Sequence, residues 1–511
     1  MKTPYFKSLI NVLRKSINAN TDGVKFDTPV NASRRTFIRN TALGSIGIGL
    51  STSFLNSVAK SPVEQNAPSV AIIGGGIAGL HAGYLFKKAG LNFTLFEASN
   101  RLGGRIYTAI NDFGENLTTE LGGEFIDSNH LDMINLTKEF GLTLYDIDAD
   151  ISSNKLEKDV YYFGGRKYKE SEVVAQFSLF SKSLADDIKK VVKEEDEVVI
   201  AELDAISINE YLSKKGITGW LFELITIAYT SEYGIDSSEQ SSLNLIYMLN
   251  PSTKDGFKIF GESDERYKII GGNSLLIDKL GASIQDSVKF MHQLVSVALV
   301  NDKYKLSFSN LASLEFDYVI IAIPFSVLRK LDLKLSLPDE KIRAIKELGY
   351  GTSSKIILGV NERKWRKNGS SGYLFNDVIQ NGWDSSLGQS ENLGVGSYTV
   401  FLGGRAGKDA SKESTSKYVQ KFNEVFSVSD SIFNDKFKIY NWSNNPYSEG
   451  GYAAYKVGQW STIAGQEGIS VGKLFFAGEH CSEDFQGYMN GGAETGRIAA
   501  ESIIKLVLNK K

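Results

Sequence analysis

The chain contains very little cysteine and histidine. Among its 511 residues there is one cysteine, Cys481, and there are four histidines, His81, His130, His292 and His480. One cysteine cannot form an intrachain disulfide or a cysteine-based zinc site, and the histidines are scattered without the spacing of metal ligands. The sequence therefore predicts no metal site.

The chain also lacks an excess of charge of either sign. It has 57 Lys and Arg against 60 Asp and Glu, which gives a formal net charge of -3. Proteins that bind nucleic acid or an anionic membrane usually carry a basic surplus, so neither partner is expected. With 42% hydrophobic residues, the chain is long enough for at least two globular domains with sizeable cores.

Long hydrophobic runs are missing as well. The stretch ALGSIGIGLSTSFL, 42–55, is too short and too rich in glycine and serine to span a bilayer comfortably, but it fits the apolar part of a signal peptide. The preceding SRRTFIR, 33–39, resembles the twin-arginine signal, whose translocase accepts folded proteins. We therefore predict that 1–67 is a twin-arginine signal peptide and linker, and that the translocase exports the protein to the periplasm or the medium.

The pattern of apolar residues indicates an α/β fold. SVAII (69–73) and LNFTLFE (91–97) look like strands, and a small-residue turn followed by helical spacing lies between them. This βαβ unit implies a parallel sheet. Two more buried strands are expected in FDYVIIAIP (316–324) and LFFAGE (474–479), the second followed by a long helix.

A dinucleotide-binding motif occupies the first turn. Gly74, Gly76 and Gly79 have the G-x-G-x-x-G spacing between a strand and a helix. The first glycine permits a tight turn, the second lets the backbone approach a pyrophosphate, and the third allows close helix–strand packing. Glu97 ends the second strand about 20 residues further on, where an acid can accept hydrogen bonds from a ribose. The set predicts dinucleotide binding.

Two further glycine pairs follow this motif. They lie in RLGGR (101–105) and ELGGE (120–124) and suit close backbone approach along an extended cofactor. Arg105 can offset phosphate charge there.

Taken in order, seven blocks of the sequence resemble the flavin-containing amine oxidases. The blocks are AIIGGGIAGL, FEASNRLGGRI, ELGGEFID, DERYKIIGGNSLL, YVIIAIPFSVL, NWSNNPYSEGGY and FAGEHCSEDFQGYMNGGAETGRIAA. The resemblance implies FAD, held by a Rossmann-like domain of discontinuous segments, and an α+β substrate domain with a mixed sheet. We expect the FAD-binding domain at 68–143, 262–335 and 445–511, and the substrate domain at 144–261 and 336–444. The sequence leaves open whether the protein forms a homodimer.

The resemblance also assigns roles to residues. Lys355, in GTSSKIILGV, matches a lysine that holds a water near flavin N5, and its segment alternates like a strand. Tyr452 and Tyr488 match an aromatic pair before the flavin, where an amine fits because aromatic faces are electron-rich. Trp442 matches a tryptophan that lines the flavin. The remaining positions matched to FAD contacts, beside the glycine motif and Arg105, are Glu97, Ala98, Gly122, Gly123, Leu294, Gly478, Glu479 and Met489.

The implied reaction is the oxidation of an amine, with O2 as acceptor and H2O2 as product. The FAD is expected to be non-covalent, because covalently flavinylated members have a cysteine before the cage tyrosine and Gly451 stands there in this chain. His480 and Cys481 are expected only to pack beside the site.

Several alternatives stay open at this point. An L-amino-acid oxidase or a tryptophan 2-monooxygenase-like enzyme would need a cation for the substrate carboxylate. Some L-amino-acid oxidases bind the substrate carboxylate with an arginine, and Phe125 stands at the matching position in this chain. Glu124 and Asp127 would repel a carboxylate. Both observations favour amines over amino acids as substrates. Arg266 could still reach the pocket from elsewhere in the fold. An FAD-dependent desaturase and a non-catalytic flavoprotein are more distant alternatives.

Overall fold

The fold is described from a computed structural model, in which residues 68–254, 256–389 and 394–508 are placed. The predicted signal peptide and linker, 1–67, lies outside the described residues. None of the described helices is long and apolar enough to cross a membrane.

Short strands run through the whole described chain. In its first two-thirds they are β1 (Val70–Ile73), β2 (Phe93–Phe96), β3 (Thr108–Ile110), β4 (Thr118–Glu120), β5 (Leu144–Asp146), β6 (Glu157–Phe163), β7 (Arg166–Tyr168), β8 (Tyr267–Ile269), β9 (Val288–Lys289), β10 (Leu294–Val300), β11 (Lys303–Phe308), β12 (Leu311–Phe316), β13 (Tyr318–Ile321) and β14 (Asp332–Lys334). The later ones are β15 (Gly349–Tyr350), β16 (Ser354–Val360), β17 (Ser370–Asn376), β18 (Gln380–Asp384), β19 (Gly396–Leu402), β20 (Phe433–Asn441), β21 (Ala453–Ala454) and β22 (Leu474–Phe476).

Helices alternate with these strands. The earlier ones are α1 (Ile77–Lys88), α2 (Leu131–Glu139), α3 (Ile147–Asn154), α4 (Glu170–Val192), α5 (Glu197–Asp204), α6 (Ile208–Lys214), α7 (Gly219–Tyr233) and α8 (Ser242–Met248). The later ones are α9 (Ser274–Ser283), α10 (Phe325–Leu328), α11 (Asp339–Glu347), α12 (Lys364–Lys367), α13 (Gly404–Lys408), α14 (Thr415–Phe426), α15 (Gln459–Thr462) and α16 (Met489–Leu508).

Two large sheets dominate this mixed α/β fold. The first is parallel, in the order β22-β13-β1-β2-β9, and it draws its strands from widely separated parts of the chain. The second has seven strands in the order β20-β16-β19-β18-β17-β6-β7 and is mixed, because β17 and β6 run parallel while the other pairs are antiparallel. All strands of each large sheet fall within one set of the segments predicted as domains, although the domain boundaries themselves stay a prediction.

The strands and helix expected around the glycine motif are confirmed. β1, α1 and β2 form the βαβ unit, with Val70 paired to Phe93 in a parallel register. β13 and β22 are the two further buried strands, and α16 is the long C-terminal helix. β1 and β13 are wholly buried because helices or other layers cover both faces of a parallel sheet.

The strand expected around Lys355 is confirmed as β16, and all seven of its residues are buried. β16 lies between β19 and β20 in the seven-stranded sheet, with Ile356 in one apolar cluster and Ile357 in another on the opposite face. Lys355 therefore lies in the protein interior.

Close packing of two helices joins the chain ends of the parallel-sheet layer. α1 and α16 lie side by side, and a Cβ at Gly496 would lie only 2.1 Å from the carbonyl oxygen of Ala78. Their apolar residues share one core cluster with β1, β13 and β22. This contact brings the N-terminus of α16 next to the glycine turn before α1.

Candidate active site and cofactor cavity

A cavity of about 470 Å³ runs between the two large sheets' layers. It begins at the glycine turn after β1 and reaches the turns that carry Tyr452 and Tyr488. With one exception, the predicted site residues line it: Gly74, Gly76, Glu97, Ala98, Arg105, Gly122, Gly123, Leu294, Lys355, Trp442, Tyr452, Gly478, Glu479, Tyr488 and Met489. Gly79 is the exception and lies behind the turn.

Glycine is needed at each of the three motif positions for a different physical reason. Gly74 has φ +107°, a conformation that L side chains rarely adopt. A Cβ at Gly79 would lie 2.0 Å from the carbonyl oxygen of Gly74, so this glycine lets α1 pack against the turn. A Cβ at Gly76 would meet no protein atom within 4 Å and would point into open space. Only Gly76 thus keeps space free for a ligand.

Glu97 is held firmly at the end of β2. Its Oε2 accepts a hydrogen bond from the backbone N–H of Gly75 at 2.7 Å. Its Oε1 accepts from the backbone N–H and the hydroxyl of Ser99, at 2.8 and 2.7 Å. A carboxylate has about four acceptor sites, so Glu97 keeps capacity for a ribose hydroxyl while it fixes the glycine turn.

Arg105 forms an ion pair inside the cavity wall. Its Nη1 donates to Glu479 Oε1 at 2.8 Å and to the carbonyl oxygen of Gly451 at 2.7 Å. Glu479 in turn accepts from the backbone N–H groups of Ala453, at 3.2 Å, and Gly487, at 2.8 Å. The pair therefore ties together the two turns that present the tyrosines.

Lys355 reaches the cavity from β16 with all three ammonium donors engaged. Its Nζ donates to the carbonyl oxygens of Glu120 and Gly122, at 3.0 and 2.9 Å, and to Glu124 Oε2 at 2.7 Å. The other oxygen of Glu124 accepts from Lys268 Nζ at 2.7 Å. Burial would raise the pKa of the Glu124 carboxyl, but the two lysines outweigh it and the pKa is lowered. Glu124 is therefore a neutralised anion, not a source of repulsion.

The three predicted aromatic residues are anchored by hydrogen bonds. The indole N–H of Trp442 donates to the carbonyl oxygen of Leu121 at 2.9 Å. The hydroxyl of Tyr452 donates to the carbonyl oxygen of Ser231 at 3.1 Å, and that of Tyr488 to Glu232 Oε1 at 3.0 Å. Each ring therefore presents its apolar body to the cavity while its polar end is satisfied.

Sequence reasoning missed two acidic residues in this cavity. Glu232 is the next-to-last residue of α7 and Glu265 lies just before β8, and both line the cavity with Asp127. Burial and the repulsion of Glu232 raise the pKa of Glu265 to about 8. Burial also raises the pKa of Glu232 and of Asp127. Glu232 lies outside the seven blocks, and Glu265 lies in DERYKIIGGNSLL without an assigned role, so only the fold brings the two together.

The arginine considered for a substrate carboxylate lies elsewhere. Arg266 forms a fork with Asp146, with Nη2 at 2.7 Å from Oδ2, and it does not line the cavity. Phe125 does line it, with its ring centroid 5.3 Å from that of Trp383. The arginines that line the cavity are Arg101 and Arg105, and Arg101 donates to the carbonyl oxygens of Leu102 and Gly104 near the glycine turn.

His480 and Cys481 lie behind the cavity wall. Both are buried, and neither lines the cavity. Burial raises the pKa of the Cys481 thiol well above its usual value, and its sulfur contacts the carbonyl oxygen of Glu467. Among the described residues, no group of three or more His, Cys, Asp or Glu could hold a metal ion.

Comparison with known proteins now gives the family. The model for the flavin containing amine oxidoreductases matches residues 77–504 of this chain. The chain belongs to this family. This oxidoreductase binds FAD, as its relatives do.

The oxidoreductase has relatives among amine and amino-acid oxidases. It is 25% identical to amine oxidase [flavin-containing] B of Cavia porcellus over 466 residues, which covers 86% of each chain. It is 24% identical to the "Putative L-amino-acid oxidase YobN" of Bacillus subtilis (strain 168), covering 86% of this chain and 95% of the relative. Cyclohexylamine oxidase from Brevibacterium oxydans IH-35A superposes with a TM-score of 0.73 at 20% identity, covering 86% of this chain and 99% of the other. That likeness shows the fold.

The cavity fits FAD. The open space in front of Gly76 lies where the N-terminus of α1 points, which suits an anionic pyrophosphate. Glu97 stands at the end of β2 for the ribose, and α16 begins at Met489 beside the far part of the cavity. The residues that would hold FAD therefore run from the glycine turn to Met489.

The two glycines at 76 and 79 give a matched pair of substitutions. Gly76 has φ −74° and ψ 177°, which alanine adopts, so Gly76→Ala should leave the unfolding temperature of FAD-stripped protein unchanged. Its methyl group would enter the ligand space, and FAD affinity should fall at least tenfold. Gly79→Ala should instead lower folding stability by about 1–3 kcal/mol or more, because the new Cβ overlaps the Gly74 carbonyl.

Both variants are measured by thermal unfolding and by FAD titration, with flavin assayed in the supernatant after acid precipitation. Unchanged FAD affinity in Gly76→Ala would contradict the assignment of this space to the cofactor.

Proposed function

We propose that this oxidoreductase is an FAD-dependent amine oxidase that uses O2 as acceptor. Bound FAD would supply the redox chemistry, a two-electron oxidation of the carbon that bears the amine, with O2 as the final acceptor and H2O2 as the product. The substrate leaves as an imine, which water hydrolyses to a carbonyl compound and ammonia. The protein's own residues bind and orient the amine and exclude water from the reacting end of the cavity.

The observation that carries this proposal is the continuity of one cavity. It joins the glycine turn, where FAD fits, to the anchored rings of Trp442, Tyr452 and Tyr488. Electron-rich aromatic faces favour an amine in a space that excludes bulk water. The described chain thus offers a cofactor end and an amine end within one enclosure.

The fold supports a finer proposal for the cofactor domain. We propose that the parallel sheet is the core of a Rossmann-like FAD-binding domain assembled from 68–143, 262–335 and 445–511, with the seven-stranded sheet in a substrate domain of 144–261 and 336–444. The glycine turn at the carboxyl end of β1 supports this proposal, because ligands of parallel sheets bind at that edge.

Amines are favoured over amino acids as substrates. A substrate carboxylate would need a cation that is not already paired with an anion, but Arg105 is paired with Glu479 and Lys355 with Glu124, and Arg101 donates to carbonyl oxygens near the glycine turn. Phe125 offers no charge, and Arg266 lies outside the cavity. An L-amino-acid oxidase or a tryptophan 2-monooxygenase-like enzyme is therefore the second candidate, supported only by the relative of that name.

Release of H2O2 from a panel of amines and amino acids tests the function. We expect release with primary amines, and a higher specificity constant for tryptamine than for L-tryptophan, because the indole body is common to both and only the carboxylate differs. A clear preference for L-tryptophan would overturn the choice of amines. FAD-loaded protein that releases H2O2 with no member of the panel would overturn the proposed oxidase.

Lys355 is proposed to act in the reaction through its charge. It brings a buried ammonium to the cavity wall beside Gly122 and Trp442, where the resemblance places the flavin ring. A fixed positive charge there would favour negative charge on the reduced cofactor. The role near N5 that the resemblance assigns to Lys355 stays a prediction.

Lys355→Met should slow turnover more than tenfold, at least about 1.4 kcal/mol of barrier, while the protein keeps its fold and FAD. Lys268→Met is the matched control, because Lys268 donates to the same Glu124 at the same 2.7 Å but does not line the cavity. The rates of flavin reduction and of reoxidation are measured separately by stopped-flow absorbance. Equal slowing in both variants would trace the effect to Glu124 and remove the assignment to Lys355.

FAD is proposed to be bound without a covalent link. Gly451 precedes Tyr452 at the cavity, and Cys481 is buried outside it with its thiol against Glu467. The acid-precipitation assay described for Gly76 would find wild-type flavin in the pellet if this proposal were wrong.

Export by the twin-arginine route is proposed from the sequence. FAD is loaded in the cytoplasm, so a protein that binds it deep between two sheets should leave already folded. Replacing Arg34 and Arg35 by lysine keeps the charge but loses the planar donor fork, and FAD-loaded precursor should then accumulate in the cytoplasm. Arg39→Lys, which keeps the arginine pair, is the control. Normal export of the double variant, measured by cell fractionation, would contradict the proposal.

A further inference from the structure

One part of the cavity is lined by three acidic side chains. Asp127, Glu232 and Glu265 line it, and no lysine or arginine among the described residues forms an ion pair with any of them. Lys158, which acts on Glu265 from a distance, is itself paired with Asp148 at 2.9 Å. Within the described part of the chain, the three carboxyls therefore line the cavity without a lysine or arginine partner.

Asp127 supplies a second observation. Its Oδ1 accepts from the backbone N–H of Glu265 at 2.9 Å, which fixes the side chain. Its Oδ2 is buried and has no hydrogen-bond partner, although Asp127 is only 2% exposed. His130 Nε2 lies 3.4 Å from that oxygen without forming a hydrogen bond, and because burial lowers the pKa of His130 to about 3, the ring brings no positive charge to Asp127. A buried oxygen without a partner costs about 1–3 kcal/mol, which a ligand donor would recover.

The other acids of the cavity differ from these three. Glu124 is bound by two lysines, Glu479 is bound by Arg105, and Glu97 accepts from the glycine turn and Ser99. Charge is thus neutralised along the part of the cavity that fits FAD and left open near Tyr488. Glu232 marks the junction, because it accepts from the Tyr488 hydroxyl at 3.0 Å.

We propose that Asp127, Glu232 and Glu265 form a subsite for a second ammonium group, so that the preferred substrates are aliphatic diamines or longer polyamines. This inference rests on the proposed amine oxidase and names its substrate class. One nitrogen lies at the aromatic rings for oxidation, and the other stays protonated and donates to the three carboxyls. An alkyl chain joins the two nitrogens.

An ammonium group suits this subsite better than other occupants. It has three N–H donors for carboxyls that line the same cavity and repel one another electrostatically, and charge-assisted hydrogen bonds to carboxylates are short and strong. A cation here also favours the ionised forms of Glu232 and Glu265, whose pKa values burial raises. An amine with an apolar body and a single nitrogen would leave all three carboxyls buried without a cation, which is unfavourable.

The substrate test compares two amines of equal chain length on the FAD-loaded enzyme. 1,5-Diaminopentane should show a specificity constant at least tenfold higher than n-pentylamine, measured by H2O2 release. Glu265→Gln and Glu232→Gln keep the size of the side chain and remove its charge, and each should lower that ratio about tenfold. Glu262→Gln, which changes an exposed glutamate close by in sequence and outside the cavity, should leave the ratio unchanged.

A binding test gives a readout that does not depend on turnover. When the bound FAD is reduced and O2 is excluded, 1,5-diaminopentane and n-pentylamine cannot be oxidised, and calorimetry on the FAD-loaded protein measures their affinities directly. The diamine should bind at least tenfold more tightly, and Glu265→Gln should reduce this difference.

The outcomes distinguish the diamine subsite from the proposed amine oxidase. Oxidation of both amines with equal specificity constants, or a ratio that survives both glutamine variants, would overturn the diamine subsite and leave the amine oxidase standing. Failure to oxidise any amine would overturn the proposed function. Tighter binding of the diamine would in that case still support the cation subsite, and equal binding would overturn it.

Discussion

The ion pair between Arg105 and Glu479 is the constraint on which the site depends. The two residues are far apart in sequence, and together they bind the backbone of Gly451, Ala453 and Gly487. Those backbone groups belong to the turns that carry Tyr452 and Tyr488. Because a buried charge without its partner is costly, loss of either residue would release both turns and with them the tyrosines.

A second buried charge cluster sets the other wall. Glu124 accepts from Lys268 and Lys355, and Lys355 also binds the carbonyl oxygens at 120 and 122. The ELGGE loop is therefore held between β8, which carries Lys268, and β16, which carries Lys355. A Cβ at Gly122 would lie 1.9 Å from the Arg105 carbonyl oxygen and 3.0 Å from the Trp442 ring, so the loop packs against both. Electrostatics and close packing act here on the same segment.

The sequence predicts the parts of this protein that depend on local pattern. The βαβ unit, β13, β22 and α16 follow from apolar runs and glycine spacing. Nearly all residues that the resemblance assigns to the site line one cavity, because motifs that occur in the family's order indicate the family's fold. The alternating pattern of β16 indicates a strand but does not show that both faces are buried, because that depends on its neighbours β19 and β20 and on the layers that cover them. Glu232 and Glu265 were missed because they come from α7 and the start of β8, and no local pattern marks acids that only the fold brings together.

The placement of charge along the cavity has a consequence for selectivity. Where FAD fits, each acid is satisfied by a fixed lysine, arginine or backbone donor, so the protein itself is complete there before any substrate arrives. Near Tyr488 no lysine or arginine of the described residues forms an ion pair with Asp127, Glu232 or Glu265, so a cation in the cavity can meet the electrostatic requirement of these carboxyls. An anionic ligand is disfavoured at that position by repulsion and a neutral one by unmet desolvation. The protein thus selects for cations chiefly because its described lysines and arginines do not pair with these three carboxyls.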